Sequence, residues 1–149
     1  MSGTDFVFNN VKGEVKTLCG LSAANDALVY VLLEATGLEA DATLKDYDDL
    51  SALLAGTSNE QTNQARKSAT SATITVDDTN DRVDIDIADQ TYAAFGGNPT
   101  GKLLVCWDGD TTAGTDANIR PLTAHSFDIT PDGTDVSAVI AATGFFRAS

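Results

Sequence analysis

The side chains that could perform chemistry at neutral pH are few apart from carboxylates: the chain has one histidine, two cysteines and 22 acidic residues. The single imidazole, His125, excludes any metal site built on a pair of histidines. It leaves at most one Ser–His or Cys–His base arrangement, and neither a GxSxG motif nor a papain-like cysteine context is present. Because His125 alternates with the apolar Phe127 and Ile129, we interpret it as a half-buried structural histidine. We therefore predict no catalytic residue and a protein that is not an enzyme.

Three acidic clusters, at 77–81, 84–89 and 108–116, superficially resemble calcium loops, because hard cations bind several oxygens brought close together. None has the EF-hand pattern that ends in a bidentate glutamate. Aspartates in turns are typical of solvated turns that hydrogen-bond to their own backbone. We predict no metal and no cofactor, and calcium binding by these loops is the alternative.

Another group of residues predicts a different chemistry. Trp107 lies beside Asp108 and Asp110, and together with Tyr92 these side chains could form a stacking platform with carboxylates for sugar hydroxyls. This is the alternative hypothesis of a carbohydrate-binding or hydrolytic module. Glycan binding or turnover would distinguish it.

Aromatic residues near both ends of the chain indicate a contact surface. Phe145 and Phe146 are adjacent, so in a strand they face opposite sides and only one easily enters its own core. Phe6 and Phe8 occupy a comparable place near the start. We predict that all four contribute to subunit or particle contacts, the alternative being cover by the chain's own loops.

Composition restricts the class of protein. The chain has 149 residues, 42% of them apolar, which fits one globular domain over 1–149. Its net charge of −13 would repel phosphate backbones and anionic membranes, so we expect no nucleic-acid or membrane partner. The first eight residues do not resemble a secretory signal, and the longest apolar run, Ala27–Leu33, is too short to span a bilayer. Cys19 and Cys106 lie in or beside apolar runs and are predicted to be buried thiols rather than a disulfide.

Periodicity predicts a mainly β (α+β) fold. Alternation over 5–17 predicts strands, and Ala27–Leu33 predicts a central strand covered on both faces. The spacing over Thr43–Gly56 predicts one helix, capped by Thr43 and followed by Gly56. The polar stretch 57–73 fits either a surface loop or an edge strand.

The second half is predicted to be entirely β. A hairpin is expected around the turn 77–81, followed by a fully apolar strand over Leu103–Trp107. Ile119–Ile129 and Val136–Phe146 are predicted to be partner strands joined by the turn at Pro131-Asp132-Gly133. About seven to nine strands with one short helix favour an antiparallel β-sandwich or a flattened barrel.

Five segments of the chain together resemble a family of small virion proteins of tailed bacteriophages. They are Asp5–Asn9 followed by Lys12-Gly13, the stretch Thr43–Leu50, Asp77–Arg82 with Ala88–Thr91, Leu103–Trp107, and Phe145–Ser149. The stretch Thr57–Ser71 is shorter and more polar than the family leads one to expect. The resemblance implies a structural protein made in the host cytoplasm and carried in the virion. Its implied partners are copies of itself and the major capsid protein or other virion proteins.

Within the virion, the resemblance and the small acidic β domain favour a decoration or cement protein on the outer head surface. A tail, fibre or vertex component is the alternative. The family brings no catalytic residues with it.

Overall fold

A computed structural model describes residues 4–149 and is built on a five-stranded antiparallel sheet of order β1-β8-β7-β2-β3. The sequence expectation about a secretory signal rests partly on residues 1–3, which lie outside the described residues. The strands are β1 (Phe6–Val7), β2 (Ala27–Glu34), β3 (Lys67–Ala69), β4 (Thr73–Asp77), β5 (Arg82–Asp86), β6 (Gln90–Tyr92), β7 (Thr100–Asp108), β8 (Ile119–Ile129), β9 (Val136–Ala138) and β10 (Phe146–Ala148).

The two central strands are buried on both faces. Every residue of β2 except Glu34 is buried, and so is every residue of β7 except Trp107. They pair with each other from Ala27↔Asp108 to Glu34↔Thr100. Continuous apolar runs form such strands because both faces of the sheet are covered. The predictions for 27–33 and 103–107 are confirmed.

Two smaller antiparallel sheets, of order β10-β5-β4 and β6-β9, accompany the central sheet. On one face of the central sheet, the Tyr30 hydroxyl donates a 2.6 Å hydrogen bond to the carbonyl of Ala88, in the connection between β5 and β6. The sheets pack in a sandwich-like arrangement. A mainly β antiparallel sandwich, as the sequence predicts, is therefore confirmed, as is the hairpin β4–β5 around the turn 77–81.

Short helices cover the opposite face: α1 (Val15–Leu18), α2 (Asp41–Leu44) and α3 (Leu50–Leu54), with 3-10 turns at Asn9–Val11 and Asp116–Asn118. Leu33 of β2 lies three residues from Tyr30 and so faces the other way. Its cross-strand partner Lys102 reaches Asp41 at the start of α2. The apolar side chains that these helices bury include Val11, Val15, Leu44, Leu50 and Leu53.

The prediction of one helix over Thr43–Gly56 is wrong. Asp49 is extended, with φ −142° and ψ 163°, and its carboxylate accepts the N–H of Ala52 as the cap of a new helix, α3. Capping by an aspartate needs this extended backbone, which interrupts the preceding helix. Thr43 lies inside α2, whose N-cap is Ala40. The described residues thus contain three short α-helices instead of one.

Other strand predictions also need correction. The alternation over 11–17 does not form a strand, because a 3-10 turn and α1 bury Val11 and Val15 on a helical path. Val136–Phe146 is not the partner of β8, which pairs with β7 and β1. Instead β9 pairs with β6 and β10 with β5, so the described chain has ten strands. In the stretch 57–73, which the sequence left open, a loop leads to the edge strand β3.

Candidate functional site

The site with the most varied chemistry is a groove of about 440 Å³ where the two ends of the chain meet. Its walls come from β1, from the second half of β8, from the segment 138–141 and from 144–147. Val7, Phe127, Ile140, Phe145 and Phe146 are apolar residues of the walls, and Phe6 borders the groove where β1 passes it. Polar groups come from Asp5, Thr123, His125 and Arg147.

The fold brings these segments together through the pairing of the terminal strands. β1 lies against β8 with Phe6 opposite Ala124 and Val7 opposite Thr123. At the other end, Gly144 has φ +84°, and a Cβ there would overlap the carbonyl oxygen of Ile85. Only glycine fits this left-handed close approach. The turn at Gly144 therefore directs β10 along β5 and forms one wall of the groove.

The polar part of the groove is a chain of hydrogen bonds through the single histidine. His125 Nε2 lies 2.9 Å from Thr123 Oγ1, and Nδ1 lies 3.2 Å from Asp5 Oδ2. The backbone N–H of Ser126 donates to the other oxygen of Asp5 at 2.8 Å. Partial burial alone would raise the pKa of Asp5, but the hydrogen bonds from Ser126 and His125 outweigh burial and lower this pKa.

This connectivity has the order of a nucleophile–base–acid triad, yet its exposure does not suit catalysis. Thr123 is only 2% exposed, so a substrate carbonyl could not reach its hydroxyl. The imidazole is itself 22% exposed and its ring meets the Phe145 ring edge-on, with centroids 6.4 Å apart. The sequence interpretation of a half-buried histidine fits this position. These hydrogen bonds therefore hold the side chains of Asp5 and His125 in place in the groove wall.

The four aromatic residues predicted to form contacts are divided by the fold. Phe8 has no exposed surface, because it packs in the core and its ring centroid lies 5.3 Å from that of Phe6. A partner cannot touch Phe8 in this fold. Phe6 and Phe145 are each 9% exposed and Phe146 is half-buried, and all three line the groove. Their role in contacts stays a prediction.

The four residues of the glycan hypothesis do not form a stacking platform in this fold. Tyr92 is 1% exposed and packs edge-on against Phe95, so it has no face to offer a sugar. Asp108 is buried, and Trp107 is half-buried with its ring over the backbone of Gly109. Only Asp110 is exposed. The platform was expected from neighbours in sequence, but Tyr92 belongs to β6 and Trp107 to β7.

Two of the acidic loops use a carboxylate within the turn itself. Asp77 accepts the side-chain amide of Asn80 and the backbone N–H groups of Asn80 and Thr79, and Asp110 accepts the hydroxyl and N–H of Thr112. Hydrogen bonds of this kind lower the pKa of both carboxyls. Within residues 4–149, no three side chains of the metal-binding types come together as ligands.

The cysteines are both free and buried, as the sequence predicts. Burial raises the pKa of the Cys19 thiol to about 12 and raises that of Cys106 further. Both side chains therefore stay as uncharged thiols in the core.

Sequence reasoning missed the segment 138–141 as a wall of the groove. Its Val139 is 71% exposed, one of two large apolar side chains described as exposed. The signal was present, since Ala138-Val139-Ile140 is an apolar run, and alternation along an extended chain leaves one of its side chains facing outward. The place of Asp5 in the groove has no such local signal in the sequence.

Comparison with known proteins adds no relative. No family model matches the chain, and no significant match exists among curated proteins or solved structures. The resemblance to phage virion proteins therefore stays a prediction. In the described part of the chain, no helix has the length and apolarity needed to cross a membrane.

Proposed function

We propose that this protein is a non-enzymatic structural component of a tailed bacteriophage virion, most specifically a decoration or cement protein on the outer head surface. Its partners are copies of itself and the major capsid protein or another virion protein, and it is made in the host cytoplasm. A tail, fibre or vertex position is the alternative within the same class.

One observation carries the proposal most: the groove joins both ends of the chain in an apolar surface that includes the exposed Val139. A solvent-exposed apolar cluster with a polar rim is typical of an interaction site. The hydroxyl of Thr123 is buried, which favours contact over catalysis. The virion as the place of this contact comes from the family resemblance of the five segments named above.

The experiment compares two single substitutions in virions of a phage that encodes the protein. Val139→Asp places a charge in the groove wall, whereas Val76→Asp places one on β4, at a site that is 54% exposed and does not line the groove. We expect the wild type and Val76→Asp in stoichiometric copies, and about tenfold fewer copies of Val139→Asp. Quantitative mass spectrometry of purified particles measures the copies, and electron microscopy locates them on head or tail.

Melting temperatures of the isolated variants provide the control, because both substitutions lie on the surface and should leave folding nearly unchanged. Deletion of 144–149 would be a poorer test, since it removes β10 and the buried Phe145. Absence of the wild-type protein from purified virions would contradict the proposed function. Full incorporation of Val139→Asp would contradict the groove as the contact.

A further inference from the structure

The groove runs beside a strand that has a neighbour on one side only among the described residues. β10 is at the end of the order β10-β5-β4. It contributes Phe146 and Arg147 to the groove, and β5 contributes no residue to it. The N–H of Phe145 points toward β5 and donates to Ile85 at 3.0 Å. Ile85 is also the cross-strand partner of Phe146, so the backbone groups of Phe146 face β5 as well. Because N–H groups alternate along a strand, the N–H of the next residue, Arg147, points to the opposite side.

Backbone groups of this kind at a sheet edge, next to an apolar groove, are the two elements of recognition by strand addition. The added strand gains main-chain hydrogen bonds from the edge, and its alternate side chains enter the groove. Here the apolar wall for those side chains is formed by Val139, Ile140 and Phe146. The geometry therefore fits an extended segment better than a helix or a compact surface.

Charge indicates which extended segment would fit. The carboxylate of Asp5 is 62% exposed at the groove, and the whole chain carries −13. Arg147, the cation of the groove, is already paired with both oxygens of Asp84. A basic side chain on the incoming segment would thus meet an exposed carboxylate that has acceptor sites beyond those used by Ser126 and His125. A second copy of this acidic chain in the groove would instead add negative charge beside Asp5.

We propose that the groove binds an extended segment of a different protein, which adds a strand along β10. The segment has alternating apolar residues that pack on Val139 and Ile140, and a lysine or arginine that pairs with Asp5. That the partner is another virion protein rests on the proposed function. That the groove selects such a segment does not, and it can be tested on the isolated protein.

The test uses the isolated protein and a synthetic library of random nonapeptides, selected on the wild type and counter-selected on Val139→Asp. We expect enriched peptides with alternating apolar positions and at least one basic residue. Their affinity should fall about tenfold or more with Val139→Asp and stay within about twofold with Val76→Asp. Asp5→Asn, which keeps an acceptor for Ser126, should reduce the preference for basic over neutral peptides.

Hydrogen exchange then reports the binding mode. With an enriched peptide bound, the amide of Arg147 should exchange at least about tenfold more slowly, because its N–H gains a partner. No enrichment, enrichment of acidic peptides, or unchanged exchange along β10 would overturn the proposal. So would a dimer in light scattering that Val139→Asp dissociates, since the occupant would then be a second copy. These outcomes are independent of whether the protein is found in virions.

Discussion

Lys102 is a charged side chain with no exposed surface, and its replacement gives a sharp test of the fold. Its Nζ lies 3.1 Å from Asp41 Oδ1 and donates to the carbonyl of Thr4 at 3.1 Å. It also lies 5.1 Å from the centre of the Phe6 ring. Asp41 in turn accepts the N–H of Thr4 at 2.8 Å. The ion pair therefore holds the N-terminal segment, which continues into β1, against α2.

The two partners should not be equally costly to lose. Two unit charges about 4 Å apart attract by about 4 kcal/mol at an effective dielectric constant of about 20. Asp41→Asn removes that attraction and leaves a buried ammonium group, so we expect a loss of about 3 kcal/mol, below the full value because Asp41 is 20% exposed. Lys102→Met removes the buried charge and keeps most of the packing, so about 1 kcal/mol is expected.

Urea unfolding followed by the fluorescence of the single tryptophan, Trp107, measures both values. The double variant should be more stable than Asp41→Asn alone by about 1–2 kcal/mol, because it no longer buries an unpaired charge. The Val76→Asp variant controls for the effect of a surface substitution. If Lys102→Met destabilises the protein as much as Asp41→Asn does, the reasoning from a buried unpaired charge is refuted.

Three further outcomes follow from particular contacts. Gly144→Ala should lower the free energy of unfolding by about 3 kcal/mol, against about 1 kcal/mol for Gly133→Ala, because both have a similar positive φ but only Gly144 faces a backbone carbonyl; equal losses in urea unfolding would contradict the close approach. Because the pKa of Asp5 is lower in the folded state, its stabilisation is present above pH of about 4 and is lost as pH falls below it, and Asp5→Asn should remove that part of the acid dependence measured by thermal melting. Ellman's reagent should leave Cys19 and Cys106 unmodified in the native protein and modify both in urea; rapid native labelling would show that the thiols are accessible.

The parts of the fold that could be predicted from the sequence are those with a local signal. The apolar runs of β2 and β7 have no polar residue at alternate positions, which indicates cover on both faces. The hairpin β4–β5 is marked by alternation on both sides of a turn rich in Asp and Asn. In each case the pattern and the structure coincide because burial follows directly from neighbouring residues.

Other parts of the fold depend on capping and on long-range pairing, which hydrophobic periodicity does not indicate. The spacing of Leu44, Leu50 and Leu54 fits one continuous helix. Asp49 instead caps α3 with its carboxylate, so the helical path is interrupted at that residue. The polar link between Asp5 and His125 joins residues 120 positions apart. No local pattern could pair them. The partners of β9 and β10 were missed for the same reason, since a turn after β8 suggests a hairpin whether or not one forms.

The groove and the buried ion pair use the two faces of the same short strand. In β1, Phe6 lies beneath Lys102 on the face covered by the helices, while Val7 is opposite Thr123 on the face that turns toward the groove. Two residues of strand supply few hydrogen bonds of their own, so their position depends on what holds each face. Lys102 and Asp41 fix the strand from the helical side, and this leaves the carboxylate of Asp5 directed at His125 and the groove. The proposed site needs such an anchor, because Asp5 directly precedes β1 and would lose its place in the groove beside β10 if β1 moved.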